Sequence, residues 1–409
     1  MTLFNANIPD EKAQTHVLII GVGLYPFLPE GGGPIATKTL GLKQLTSPPI
    51  SASVIADWAL GELNNLDAPL GSVELLLSQN DNMQGEIAPL KNVYKPGVKA
   101  ALKLGVDPGT AISTPLAEFS EIKQAFGRWF ERLNRLEENI ALFYFCGHGV
   151  EAADRYLLPS DYGKDKLVPF SEFINFTQTF NKMNRCKAQT QCWFLDCCRD
   201  QPSEVKSAAA TGSVGQSLIG DIAGGPFSRN APIFHAAAIG KSATGPPGKQ
   251  SYFVEALTQC LNGTGVSPRL DDSDPYAVST ASLGSALSSV IPWLEKQNFD
   301  VSMSYEIGGS TNLPPKRIHF PAEPFEVLAS ILCIPDKAHT IATLDLADSQ
   351  GISHLRGATS SEPWRLKVHS GACTIKGTFA SDFKDFAKEV RAFPPIMNKT
   401  IQVDSQGDA

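Results

Sequence analysis

Cys197, Cys198 and His148 are the side chains of this 409-residue chain best suited to covalent chemistry. A cysteine attacks a carbonyl carbon near neutral pH when a neighbouring base takes its proton. An imidazole, with an ordinary pKa of about 6.5, is the side chain that does this most readily. His148 closes the run ALFYFCGHGV (141–150), between Gly147 and Gly149, and the two cysteines close the run CWFLDCCRD (192–200), directly after Asp196. Each run is apolar and of strand length, which predicts two buried strands. An open α/β sheet delivers reactive side chains at the carboxyl ends of such strands, so an imidazole and a thiol are expected along one sheet edge. The histidine precedes Cys198 by fifty residues.

These blocks resemble those of the caspase-like cysteine peptidases, the clan of caspases, metacaspases and bacterial caspase-homologous proteins. Caspases place the histidine about 50 residues before the cysteine. Metacaspases typically carry S-G-H-G and D-S-C-H-S-G, against Cys146-Gly147-His148-Gly149 and Asp196-Cys197-Cys198-Arg199-Asp200 here. Side chains alternate along a strand, so only one of the two cysteines can face His148. The resemblance selects Cys198 as nucleophile and puts Cys197 at a small, inward-packed position. It also implies that the amides of Gly149 and Cys198 form the oxyanion hole. Asp196, on the same strand face as Cys198, would then line the pocket for the residue before the cut, where a carboxylate favours Arg or Lys. In metacaspases a second acid sits at the start of the first helix. Ser51 matches that position, which leaves cleavage after a neutral or apolar residue as the alternative specificity.

Other candidate chemistry is weaker. Cys146, His148, Cys197 and Cys198 lack the C-x₂₋₄-C spacing of structural zinc sites. Gly31-Gly32-Gly33 lacks the rest of a phosphate loop and reads as a turn. Asp154, Asp161 and Asp165 are not spaced as a compact calcium loop. No metal and no cofactor is expected. Arg199 is expected to anchor the chain beyond the nucleophile through a salt bridge.

Elements that could position these residues alternate along the chain. HVLIIGVG (16–23) and SVELLLS (72–78) read as buried strands, with a helix between them from Ser47, two prolines in its first turn, to Leu63. Thr114 and Pro115 predict the start of a helix whose apolar face carries Phe119, Ile122, Phe126, Trp129, Phe130, Leu133 and Leu136. A helix is expected around 171–184, a strand over 231–240 and a helix over 251–261. The Ala-, Gly- and Ser-rich stretch 201–230 reads as a loop. Strands alternating with helices predict an α/β fold, a caspase-like, mainly parallel sheet covered on both faces. Past TNLPPKR (311–317) short alternating runs predict a small β-rich domain. The expected division is a peptidase domain over 1–312 and an accessory domain over 313–409.

A 42% hydrophobic content supports a sizeable core, and a net charge of −7 argues against a nucleic-acid-binding surface. No stretch approaches the roughly 18 apolar residues of a membrane span, and no secretory signal is visible. Eight cysteines, several inside apolar runs, read as reduced thiols of a cytoplasmic protein. The expected function is a cysteine endopeptidase that cleaves proteins or peptides after a basic residue, and resemblance to stand-alone bacterial homologues suggests a regulated role in stress or phage defence. An activating protein or ligand would act through the C-terminal domain. The alternative is a non-catalytic caspase-fold scaffold or sensor, against which the intact Cys–His pair weighs.

Overall fold

The computed structural model describes residues 2–79, 92–212, 214–223, 225–241, 245–269, 271, 273–297, 303–357, 360–380 and 382–406. The chain forms two compact units, Met1–Thr258 with Ile291–His319, and Gln259–Val290 with Phe320–Ala409. The elements of the first that bear on the site are β1 (Phe4–Asn5), β2 (Thr15–Val22), α1 (Ser47–Gly61), β3 (Leu70–Ser78), α2 (Phe119–Leu133), β4 (Ile140–Gly147), β5 (Gly149–Glu151), β6 (Arg155–Leu157), β7 (Ile174–Asn175), α3 (Phe176–Lys182), β8 (Thr190–Cys197), α4 (Ser203–Ala210), β9 (Asn230–His235), α5 (Tyr252–Gln259, its last residue counted with the second unit) and β10 (Glu306–Thr311).

Seven of these strands make one sheet in the order β1-β3-β2-β4-β8-β9-β10. Its five inner strands are parallel and its two edge strands antiparallel. β2, β3, β4, β8 and β9 are buried along their whole length, as continuous apolar runs in a parallel sheet require. On one face Phe143, Phe145, Trp193 and Leu195 pack against Ile122, Phe126 and Trp129 of α2, and the Trp129 and Trp193 rings meet edge to face at 5.8 Å. α1 covers the other face, its Ala52 so close to Gly21 that a Cβ there would lie 2.6 Å away. The chain leaves β2 toward β3 on one side and returns to β4 on the other. The carboxyl ends of β2 and β4 therefore flank the reversal of strand order, where open α/β sheets bind ligands.

Three elements depart from the sequence expectation. α2 begins at Phe119 instead of Thr114–Pro115, and Asp161 Oδ1 receives the Phe119 N–H at 2.9 Å, so a distant carboxylate supplies the expected cap. The predicted helix over 171–184 gives its first residues to β7 before α3 begins. The stretch 201–230 contains α4, anchored by buried Val205.

The second unit is β-rich. Glu326–Ile334 lies between Trp364–His369, antiparallel to it, and Ile396–Gln402, parallel to it. Ser353–Arg356, Thr343–Ala347, Gly371–Thr378 and Phe386–Ala392 form a four-stranded antiparallel sheet. Residues 259–290 join this unit through Tyr276, edge-on to Phe325 at 5.3 Å, and through an Arg269–Glu323 ion pair at 2.6 Å. Among the described residues no helix is long and apolar enough to cross a membrane.

Candidate active site

In-register pairing of β4 and β8 sets Gly147 opposite Cys197. Pairing continues past the strand ends at Val150 opposite Asp200, where the Glu151 N–H donates to the Asp200 carbonyl at 2.8 Å. His148 and Cys198 fall between these pairs and so stand side by side at the carboxyl edge of the sheet. Cys198 is half-buried, and His148 is only 7% exposed.

The imidazole is held at one nitrogen. His148 Nε2 lies 2.6 Å from the Lys43 carbonyl oxygen. A carbonyl only accepts, so Nε2 carries the proton and the lone pair of the neutral ring is at Nδ1. Burial lowers the His148 pKa, against the smaller raising effects of the Lys43 carbonyl and the Asp200 charge. A neutral ring at pH 7 can accept a proton. The main chain of His148 is held as well: its N–H donates to the Tyr25 hydroxyl at 2.8 Å and its carbonyl accepts from the Leu158 N–H at 3.0 Å.

The flanking glycines are required by close approach, since neither has a positive φ. A Cβ on Gly147 would lie 2.9 Å from the Tyr25 hydroxyl. A Cβ on Gly149 would lie 2.8 Å from both Cys197 Sγ and the Cys198 carbonyl oxygen. The protein's own groups fill the space beside both glycines.

Cys197 and Asp196 leave β8 on opposite faces. Cys197 is buried on the α2 face, where Arg155 Nη2 donates to its Sγ at 3.1 Å, and burial raises its thiol pKa. Arg155 Nη1 lies 3.0 Å from His235 Nδ1 on β9, and burial lowers that imidazole to about 2 with further help from Arg155 and Arg199. Asp196 is 3% exposed. Its Oδ2 accepts from the Tyr144 hydroxyl at 2.8 Å and from the Ser251 hydroxyl, and Cys146 adds a third hydrogen bond. Burial pushes the Asp196 carboxyl pKa up, against these three bonds. Ser51 meets Ser251, not the carboxyl itself, its Oγ accepting from the Ser251 N–H at 2.9 Å. Cys146 thus turns toward Asp196 and Cys197 toward Arg155. Arg199 binds Glu151 through two nitrogens at 2.6 and 3.0 Å and Glu306 at 2.7 Å, and so fixes the chain beyond Cys198.

Residues 115–279 match the family model described as "Caspase domain". That stretch is similar to caspase domains. His148, Gly149, Asp196 and Cys198 lie inside the match, and Tyr25, Lys43 and Ser51 lie before it. The uncharacterized protein y4kE of Sinorhizobium fredii (strain NBRC 101917 / NGR234) is 26% identical over 347 residues, covering 83% of this chain and 90% of that protein. The solved structure of the Bacillus anthracis TIE protein matches over 25% of this chain and 24% of its own, at 16% identity and a TM-score of 0.15.

Several residues around the candidate site carry no role in the sequence analysis. Tyr25 and Lys43 sit in the 23–46 loop, whose place after the first strand was the available signal. Ser251 caps α5, its Oγ receiving the Val254 N–H at 3.1 Å, and a serine before an amphipathic run is a readable capping signal. Arg155 carried no signal of its own.

Proposed function

We propose that this protein is a caspase-like cysteine endopeptidase that uses Cys198 as nucleophile and His148 as base. The observation that supports this most is the strand register, which puts residue 198 next to His148, together with the Lys43 carbonyl that holds the His148 Nε2–H. The thiol gives its proton to Nδ1 as sulfur attacks the scissile carbonyl carbon. The amides of Cys198 and Gly149 stabilise the oxyanion. Collapse breaks the C–N bond, and the leaving amine takes the proton from Nδ1. Water, deprotonated at the same nitrogen, then hydrolyses the thioester and restores the thiol. None of the eight cysteines is in a disulfide, which suits a reducing compartment.

The specificity reading is cleavage after Arg or Lys through Asp196, whose charge-assisted bonds to a guanidinium would be worth about 1.5–3 kcal/mol. A second reading, cleavage after a neutral residue, is favoured by the buried and already hydrogen-bonded state of that carboxyl and by Ser51 in place of a second acid. The test is cleavage of a peptide library by the full chain, with Cys198→Ala as blank and Asp196→Asn as probe. Cleavage after Arg or Lys that falls at least tenfold in Asp196→Asn is expected. Cleavage after neutral residues, insensitive to Asp196→Asn, would establish the second reading. Absence of any Cys198-dependent cleavage would overturn the enzyme reading.

A further inference from the structure

The two groups that hold His148 come from opposite ends of one loop. Tyr25 follows β2, and Lys43 comes shortly before α1. The side chain of Gln44 joins those ends. Its Oε1 accepts from the Tyr25 N–H at 2.8 Å, and its Nε2 donates to the Tyr25 carbonyl at 2.9 Å and to the Pro29 carbonyl at 3.0 Å. The Leu45 N–H adds a bond to the Gly23 carbonyl at 2.9 Å. The glycine triplet wraps the same segment, because a Cβ on Gly31 would lie 2.1 Å from the Tyr25 carbonyl oxygen.

Tyr25 also occupies an unusual place in a ladder. β5 and β6 pair antiparallel with Gly149 opposite Leu157, so the next rung is His148 opposite Leu158. Half of that rung is direct, from the Leu158 N–H to the His148 carbonyl at 3.0 Å. The other half runs through Tyr25: the His148 N–H donates to the phenol oxygen at 2.8 Å, and the phenol donates to the Leu158 carbonyl at 3.3 Å. The Tyr25 ring also packs against the imidazole, with centroids 4.9 Å apart. Without the hydroxyl, the His148 N–H either loses its buried partner or closes directly on Leu158. The first leaves a buried donor unpaired and the second moves the backbone that carries the imidazole, so either frees His148 from its present setting.

We propose that Tyr25 is a positioning residue for the base: its hydroxyl spaces the rung between His148 and Leu158 and its ring backs the imidazole, keeping Nδ1 turned to Cys198. The proposal rests on the Cys198–His148 reading above. The family match begins at residue 115 and assigns nothing to Tyr25.

The test follows alkylation of Cys198 by iodoacetamide in the full chain as a function of pH, with the modified cysteine located by peptide mass spectrometry and Cys198→Ala as blank. In this reaction the sulfur displaces iodide while the thiol proton passes to the base. His148→Ala is expected to move the profile up toward an ordinary thiol pKa of about 8.5 and to slow labelling at pH 7 about tenfold or more. Tyr25→Phe should move the profile at least halfway to that of His148→Ala, with a cooperative urea transition retained. A residue that only supported the fold would lower the urea midpoint and leave the pH profile in place. A wild-type profile in Tyr25→Phe, beside a shifted His148→Ala, overturns the proposal alone. A wild-type profile in His148→Ala overturns the Cys–His pair and the proposal with it. Should Tyr25→Phe fail to fold, the half-buried Gln44→Ala decides, with a shift in the same direction expected and a wild-type profile overturning the proposal.

Discussion

Cys197 and Cys198 are adjacent in sequence and opposite in environment. Cys197 is packed under Arg155, with burial raising its thiol pKa, whereas Cys198 is half-buried next to His148. The prediction at this scale separates them. Cys198→Ala should reduce peptide cleavage to the blank. Cys197→Ala should keep kcat/KM within a few-fold, while the lost sulfur contacts lower stability by about 1–2 kcal/mol. Peptide cleavage and urea unfolding measured on both variants check this, and an active Cys198→Ala beside a folded, inactive Cys197→Ala would reverse the assignment. Strand alternation by itself puts the two thiols on different sides of the sheet. It does not show that Arg155 and His235 lie beneath one of them, since those residues come from β6 and β9.

At the scale of elements, the two reactive strands were legible because a parallel strand buried on both faces must be apolar throughout. Their relative register was not, since it depends on how α1 and α2 sandwich the sheet. The helix on 119–133 was readable from its apolar spacing, whereas its start was set by Asp161 from a later loop. The glycine beside the histidine was singled out, but for another reason than the packing that requires it. Gly149 lets the ends of β4 and β8 close to contact, and an added Cβ would meet Cys197 Sγ and the Cys198 carbonyl oxygen at 2.8 Å. Relief of that clash must separate His148 from Cys198. Gly149→Ala should therefore lower kcat by about a hundredfold, the effect of roughly a 1 Å misplacement, with KM changed much less. Stability should fall by about 1–3 kcal/mol. Steady-state kinetics with the best library peptide would show it, and an unchanged kcat would mean that the strand ends do not need this contact.

At the scale of the molecule, the alternation of strands and helices carried the α/β layering and the change of texture carried the β-rich C-terminal part. Burial of polar groups was invisible in the sequence, because His16, His235 and His319 each lie in or beside a short run that reads simply as strand. In the first unit His16, His148, His235 and His319 are all buried. Burial, the largest cause in each case, lowers their pKa values, to about 3 for His16, about 2 for His235 and about 4 for His319. The unfolded chain takes up protons on these residues near pH 6.5, and the folded chain does not. As pH falls through 6.5 the unfolded state is therefore favoured, and each such histidine lowers stability by about 1.4 kcal/mol per pH unit until its folded pKa is reached. Asp161, raised to about 6 by burial, and Asp196, raised for the same reason, act in the opposite sense, since the folded state protonates them first. Four histidines against two carboxyls leave a net loss of stability as pH falls below 6. Four of the five tryptophans, Trp58, Trp129, Trp193 and Trp293, belong to this unit, so urea unfolding followed by tryptophan fluorescence reports on it. The urea midpoint should hold above pH 7 and fall steeply from pH 6.5 to 5. His235→Gln, which keeps an acceptor for Arg155, should flatten that fall by about one proton's worth. A midpoint that stays level from pH 7.5 to 5 would mean that the buried imidazoles bind protons in the folded protein as readily as in the unfolded chain.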